Sequence, residues 1–167
     1  MVTVATAYYT IDAVSALVTG WLADLCIRHG YSTTLVRKSA MAVGHSIAAA
    51  AVLTCVLANS HWHFGFLFAI GIGEGVAGAG AFAFSQTLAG PYATGKWSGL
   101  QNGFANLAGI VAPALTGFLV DRTGSFLVPL TIVALVLVAG AISWLFVVGC
   151  VEQVSWKSPV AGTFGRG

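Results

Sequence analysis

Long uninterrupted apolar runs are the feature that most constrains how this chain can fold. There are five of them, at residues 3–22, 39–58, 64–89, 98–120 and 126–149. A helix needs about 20 mostly apolar residues to cross the hydrocarbon core of a bilayer. The runs lack the alternation of membrane-barrel strands, and helices are the remaining way to pair every backbone group in lipid. The sequence therefore predicts an all-α polytopic bundle of five transmembrane helices.

The composition supports a membrane protein and excludes several other classes. Hydrophobic residues make up 57% of the chain and charged residues only 7%, whereas a soluble domain carries about 25% charged residues. A net charge of +2 is too small to indicate a nucleic-acid partner. The three cysteines have no metal-ligand spacing and are expected to pack as small apolar residues. The expected surroundings are the lipid bilayer, with no nucleic acid and no cofactor.

Basic residues concentrate in alternate loops. Six of the seven lie on one side of the predicted bundle: Arg28, Arg37, Lys38, Lys96, Lys157 and Arg166. The opposite side holds only Arg122. Because Lys and Arg accumulate in cytoplasmic loops, we expect the loop at 23–38 and the C-terminus to be cytoplasmic. The protein is then a multi-pass protein of the plasma (inner) membrane.

Residues 1–150 are predicted to form the bundle, and residues 151–167 a cytoplasmic tail that we expect to be disordered. The chain has no secretory signal peptide and enters an apolar segment almost at once. Five spans with a cytoplasmic C-terminus place the N-terminus outside. We therefore expect this chain to be the C-terminal part of a longer protein.

The third run combines many glycines with one carboxylate. Gly71 and Gly75 form a GxxxG pair, whose small residues let helix backbones approach closely and also make a helix easier to bend. Glu74 lies among them near the bilayer midplane, where a carboxylate usually faces a bundle interior or a water-filled cavity. Asp12 has a similar depth in the first run, beside Tyr8 and Tyr9. Each acid is interpreted either as part of a substrate or ion pathway or as a structural hydrogen-bonding group.

Amide side chains line one face of the fourth run. Asn102 and Asn106 are four residues apart and share a helix face, and Gln101 and Pro113 lie on the same run. Amides can donate to and accept from hydroxyls and carboxylates without bringing a charge into lipid. This pattern favours the wall of a cavity for a polyol or organic acid. The alternative is amide hydrogen bonding between packed helices.

Catalytic and metal signals are weak. His61 and His63 form an HxH pair without a third ligand nearby, so we expect no metal site. Asp12 and Glu74 are the only acids expected within the bundle. An intramembrane enzyme would need paired carboxylates or metal ligands at one depth on facing helices, so we expect no enzyme.

The loop after the first run, "GWLADLCIRHGYSTTLVRK" at 20–38, resembles the loop signature of the major facilitator superfamily. That signature reads roughly Gly-x-x-x-Asp-Arg-x-x-Arg-Arg. It is matched here by Gly20, Asp24, Arg28, Arg37 and Lys38. Leu25 stands where the family often has Arg. The resemblance implies that this loop gates the transporter, with Asp24 pairing with a nearby Arg or helix N-terminus in only one conformational state.

The spacing within that loop is similar to the anion:cation symporter family, which includes hexuronate, galactonate and sialate carriers. The stretch 95–126 resembles the family's penultimate helix and the loop after it. The five spans then resemble helices eight to twelve of a twelve-helix transporter. The missing N-terminal half of the same transporter is therefore an expected partner.

The resemblance implies alternating-access transport of a small organic anion, such as a sugar acid, with a proton or sodium ion as the coupling cation. The expected substrate contacts are Asn102, Asn106, Gln101 and Glu74. Asp12, Tyr8 and Tyr9 are expected as polar residues of the cavity. The alternative is a small membrane scaffold or assembly protein without transport activity.

Overall fold

A computed structural model describes residues 2–57 and 63–155. Its helices are α1 (Val2–Arg28), α2 (Thr33–Leu57), α3 (His63–Thr123) and α4 (Leu127–Ile142), and a π-helical turn, Ser143–Val147, follows α4. Within the described ranges there are four segments long and apolar enough to cross a membrane, and no strand. The predicted all-α membrane bundle is confirmed.

The number of helices differs from the prediction. Two predicted spans, 64–89 and 98–120, belong to the single helix α3, and residues 91–97 between them are helical as well. The polar stretch after Pro91 separates the two apolar runs, but polar side chains do not by themselves end a helix. Gly90 alone interrupts α3, with φ 61° and ψ −179°. The described chain therefore has four long helical segments rather than five, and the third comprises two helices, one for each of the predicted spans 64–89 and 98–120, that meet at a kink at Gly90.

Helices α2 and α4 run antiparallel to each other. Gly140 packs against the His45 ring, so that a Cβ added to Gly140 would lie 2.9 Å from His45 Cδ2. Further along, the Lys38 Nζ donates a hydrogen bond to the Val148 carbonyl oxygen at 2.7 Å. The start of α2 and the residues after α4 thus lie at the same end of the bundle. We call this end, which carries the α1–α2 connection at 29–32, the loop end.

The direction of the chain reverses within α3. Since α4 runs toward the loop end, it begins at the opposite end, and only residues 124–126 separate it from Thr123. The part of α3 before Gly90 packs along α1 and α2 and ends at the loop end. The part after Gly90 must therefore run back again. We call residues 63–89 the first arm of α3 and residues 91–123 the second arm.

Helix α1 packs against the first arm through glycines. A Cβ added to Gly75 would collide with the Asp12 carbonyl oxygen, and one added to Gly71 would lie 3.2 Å from the Tyr8 ring. Such contacts require residues without side chains, because the helix backbones themselves touch. The close approach predicted from the Gly71–Gly75 pair is confirmed.

Helix α2 packs against another face of the first arm. Gly44 of α2 lies against Gly73 and Ala77, and Gly80 lies against the Met41 side chain. The buried apolar residues of α2 are small apart from one methionine and one valine, and Ala77 of the first arm is buried as well: Met41, Ala42, Ala48, Ala49, Ala51, Val52 and Ala77. Small side chains thus hold the helices together at both faces of the arm.

The second arm is much less covered. Gly95, Gly99 and Gly103 have open space where a Cβ would project. Phe104 and Ile110 are 67% and 72% exposed. Near its end, an apolar crevice of about 270 Å³ lies between the arm and α4. Most faces of the second arm are therefore free of contact with the rest of the described chain.

The HxH pair lies outside the part of the structure that can be described, since neither the His61 residue nor the His63 side chain is defined. Residues 2–57 and 63–155 contain no group of three or more His, Cys, Asp or Glu that could hold a metal ion. Of the predicted tail, residues 151–155 are described; they have no regular secondary structure, and Val151 is buried.

Candidate functional site

A first polar group lies where α1 faces the first arm of α3. The Tyr8 ring packs over Gly71 and meets the Tyr9 ring edge-on, with the ring centroids 5.3 Å apart. Asp12 follows one helical turn later on α1 and is half-buried, whereas Glu74 on α3 is exposed. Because Gly71 and Gly75 have no side chains, α1 approaches α3 closely, and these groups come within reach of one another.

The carboxylates of Glu74 and Asp12 both interact electrostatically with the Tyr8 phenol. Tyr8 and Tyr9 also line an open cleft of about 590 Å³ with Val4, Ala5, Phe64 and Leu67. A phenol can donate to and accept from a bound oxygen, and an ionised carboxylate accepts only. The cleft walls are otherwise apolar. This region can therefore orient a polar molecule of modest size through a few hydrogen bonds.

The predicted amide residues lie on the second arm. Asn102 and Asn106 are exposed, and the Asn106 Nδ2 donates to the Asn102 carbonyl oxygen at 2.8 Å. The Gln101 Oε1 is buried without a hydrogen-bond partner among the described residues. The structure thus confirms that the two asparagines share a face. No hydrogen bond within the described chain joins this amide face to Tyr8, Asp12 or Glu74.

A second polar pocket lies at the loop end. It has a volume of about 430 Å³ and is lined by Thr19, Gly20, Ala23, Asp24, Arg37, Ala40, Ala79, Gly80, Ala83, Gln86 and Thr87. Asp24 and Arg37 interact electrostatically across it. The Arg37 Nε is buried and has no partner among the described groups. Three helices therefore line a pocket with a carboxylate and a guanidinium of opposite charge, and the Arg37 Nε remains for a further contact.

The residues predicted to form a gating loop do not all line the loop-end pocket. Gly20, Asp24 and Arg37 line the loop-end pocket. Lys38, the next residue after Arg37, instead bonds to the Val148 carbonyl oxygen. Arg28 is exposed in the last turn of α1, where a cation is favoured by the helix dipole. Arg37 and Lys38 are adjacent in the sequence but thus make different contacts.

Sequence reasoning missed three polar residues of this pocket, Thr19, Gln86 and Thr87. Gln86 and Thr87 lie near the end of the apolar run at 64–89. The position of Gln86 and Thr87 in the sequence could have indicated this role, because polar side chains about one turn before Gly90 lie at the same end of the bundle as the α1–α2 connection. It also missed the contacts of residues 148–155 with the bend at Gly90.

Comparison with known proteins places this architecture in a family. Residues 2–163 match the family model of the Major Facilitator Superfamily. A probable galactarate/D-glucarate transporter of Bacillus subtilis is 30% identical over 138 residues, which cover 83% of this chain and 30% of that protein. An uncharacterized transporter of B. subtilis is 32% identical over 148 residues, covering 87% of this chain and 34% of that protein.

A D-galactonate transporter of Escherichia coli is 28% identical over 145 residues, covering 84% of this chain and 32% of that protein. The chain thus spans about a third of the length of the curated relatives it matches. The family match covers nearly all of the chain, and it agrees with the long apolar helices and their small-residue contacts. On this evidence the chain belongs to the Major Facilitator Superfamily.

Proposed function

We propose that this chain forms part of a secondary active transporter that moves a small organic anion, a sugar acid, across the plasma membrane. The observation that carries the proposal is the set of relatives named as transporters of galactarate, D-glucarate and D-galactonate. Sugar acids carry carboxylates and several hydroxyls. Their recognition needs hydrogen-bond donors and acceptors at membrane depth, and this chain has such groups on both arms of α3.

The amide face is the proposed substrate surface. Asn102 and Asn106 are exposed and can each donate to a carboxylate and accept from a hydroxyl. Gln101 is proposed as the next contact, and its carbonyl oxygen is buried and lacks a hydrogen-bond partner in the described chain. Glu74 is proposed as a further contact, accepting from substrate hydroxyls. A neutral amide surface binds an anion without first placing a charge in lipid, which would be costly.

Tyr8, Tyr9 and Asp12 are proposed as polar residues of the same transport cavity. Their support is the cleft that the two tyrosines line and the electrostatic contact of Asp12 with Tyr8. We propose that transport is coupled to a proton or sodium ion, and that the residues responsible for coupling lie mostly in the remaining part of the transporter. Alternating access would then occur by rocking of two halves around a central site.

The loop-end pocket is the proposed gate, on the cytoplasmic side together with the C-terminus. Gly20, Asp24 and Arg37 line it, and Arg28 and Lys38 flank it. An attraction between Asp24 and Arg37 that is present in one state and weakened in the other would bias the equilibrium between the states. Six of the seven basic residues lie on this side of the predicted bundle, which supports the orientation.

The proposed partner is the N-terminal half of the same transporter. The second arm supports this, because it exposes apolar side chains and the glycine series Gly95, Gly99 and Gly103 to open space. Helices that meet such a surface in a membrane can approach closely. A second half packed here would also border the amide face.

Thermal unfolding of the chain in lipid nanodiscs tests the proposal. Galactarate, D-glucarate or D-galactonate should raise the unfolding temperature, while the uncharged polyol galactitol should not. A ligand at 100 times its dissociation constant stabilises a protein by about 2.7 kcal/mol. If no acid shifts the transition and replacement of Asn102 and Asn106 is tolerated, the chain is better described as a membrane scaffold.

A further inference from the structure

The bend in α3 depends on a backbone conformation that other residues avoid. Gly90 has φ 61° and ψ −179°, a region that is essentially restricted to glycine. Pro91 follows as the first residue of the second arm. It has no N–H to offer the preceding turn, and its fixed φ suits the start of a helix. The break therefore lies at one position, and carbonyls at the end of a helix need partners from outside the regular helical pattern.

One of those carbonyls is bonded by a distant part of the chain. In an unbroken α-helix, the Leu88 carbonyl oxygen would accept from the N–H of Tyr92, which requires helical dihedrals at the three residues between them. Gly90 is one of the three. The Val154 N–H donates to the Leu88 carbonyl oxygen instead, at 2.9 Å. Residues after α4 thus replace the hydrogen bond that the bend removes.

The neighbouring residue covers the bend itself. The Gln153 side chain lies directly over Gly90, so that an added Cβ would be 2.7 Å from Gln153 Cδ and 2.9 Å from its Cγ. The contact uses the missing side chain of Gly90. The glycine is therefore required twice, for its dihedral angles and for the space that Gln153 occupies.

The same stretch is also fixed to the start of α2. The Thr34 Oγ1 accepts from the Val151 N–H at 2.9 Å, and Lys38 Nζ donates to the Val148 carbonyl oxygen at 2.7 Å. Val151 is only 5% exposed, whereas its neighbour Cys150 is exposed. Two hydrogen bonds and one buried side chain thus hold residues 148–151 against α2, three residues before the bond to Leu88.

We propose that residues 148–155 are a latch segment that holds α3 in its bent form. It is anchored on α2 at Thr34 and Lys38 and closes on the bend at Leu88 and Gly90. While it is docked, the first arm, the bend and the start of α2 are fixed together. When it is released, the Leu88 carbonyl loses its partner, and rotation at Gly90 changes the angle between the two arms.

Release would move the amide face relative to Glu74, since these groups lie on opposite arms. The latch is a property of the bend and is independent of which molecule the protein transports. Its test therefore uses the conformation of the chain rather than transport, so that it can fail separately from the proposed function.

The first experiment compares two neighbouring cysteines in nanodiscs. Cys26 and Cys55 are replaced by alanine, leaving the native Cys150 as an exposed reference. A second variant also carries Cys150→Ala and Val151→Cys. Maleimide labelling of the cysteine at 151 should be several-fold slower than labelling of Cys150, because only residue 151 is covered by docking. Equal rates would contradict a docked segment. This comparison keeps every anchoring hydrogen bond of the segment.

The second experiment measures the angle of the bend. Spin labels are placed at the exposed positions Ile72 and Leu107, one on each arm, in a background without native cysteines. Thr34→Val combined with Gln153→Ala should widen or shift the distance distribution between the labels. The matched control is Glu152→Ala, at an exposed neighbour in the described part of the segment, and it should leave the distribution unchanged. An unchanged distribution in the double variant would overturn the proposal.

Discussion

Gly44 of α2 and Gly73 of α3 lie against each other with no room for a side chain on either. A Cβ added to Gly44 would be 2.6 Å from the Gly73 carbonyl oxygen, and one added to Gly73 would be 2.7 Å from the Gly44 carbonyl oxygen. Both distances are well below the roughly 3.5–4.0 Å of an optimal contact between carbon atoms. The contact between α2 and the first arm is therefore formed by backbone on both sides.

Replacing Gly73 by alanine should destabilise the bundle. Alanine favours a helix over glycine by about 1 kcal/mol, but forcing a methyl group into a packed contact typically costs about 1–3 kcal/mol. Thermal unfolding in detergent measures the net effect. Gly78→Ala is the matched control, because Gly78 lies on the same helix with open space around it. Equal unfolding temperatures for the two variants would show that the contact is looser than described.

Gly90→Ala should lower stability for two reasons that a second substitution separates. The glycine-only dihedral angles cost another residue about 1–3 kcal/mol, and the new Cβ would collide with Gln153. Adding Gln153→Ala removes the collision and should recover only part of the lost unfolding temperature. Gly95→Ala, in the open part of the second arm, is the control. Complete recovery in the double variant would mean that the dihedral angles cost nothing.

Asn102→Ala should weaken binding of galactarate in the nanodisc assay. A hydrogen bond to a charged group contributes about 1.5–3 kcal/mol, or roughly a ten- to hundredfold change in affinity. Thr131→Val is a suitable control, since among the described residues its hydroxyl bonds only to the Leu127 carbonyl of its own helix. An unchanged dissociation constant for Asn102→Ala would remove this residue from the substrate surface.

Asp24→Asn should open the loop-end pocket. The change removes the negative charge that faces Arg37, so the attraction that holds α1 to α2 at this end becomes weaker. A cysteine introduced at Ala83, which lines the pocket, should react several-fold faster with a maleimide in this variant. Asp121→Asn changes an exposed carboxylate outside the pocket and should have no effect. Equal rates with and without Asp24→Asn would argue against a gating role.

Apolar runs predicted where the chain crosses the membrane but not where helices end. The run at 3–22 lies within α1, which continues through Asp24 to Arg28. Polar residues at the surface of a membrane still form helical hydrogen bonds, so hydropathy does not detect the helix end. The adjacent pair Gly90–Pro91 was the true signal for the break in α3, because glycine can adopt its dihedral angles and proline can start the next helix.

Spacing along the chain predicted which residues share a helix face. The helix that packs against that face depends on contacts between residues far apart in the sequence, which spacing does not reveal. Asn102 and Asn106 were placed together by their separation of four residues. Gly71 and Gly75 were predicted to allow a close approach, but the sequence did not identify α1 as the helix that approaches. Gln153 carried no signal at all, since its role depends on a glycine more than 60 positions earlier in the chain.

The glycine and alanine contacts of α1, α2 and the first arm have a mechanical consequence. These residues have no side-chain rotamers, so burying them costs no side-chain entropy, and no rotamer change is available to absorb a shift of one backbone against another. Sliding of α2 along the first arm is therefore resisted at these contacts by backbone on both sides. The first arm and α2 thus form a stiff pair within the bundle, and the second arm leaves that pair at a single glycine, Gly90.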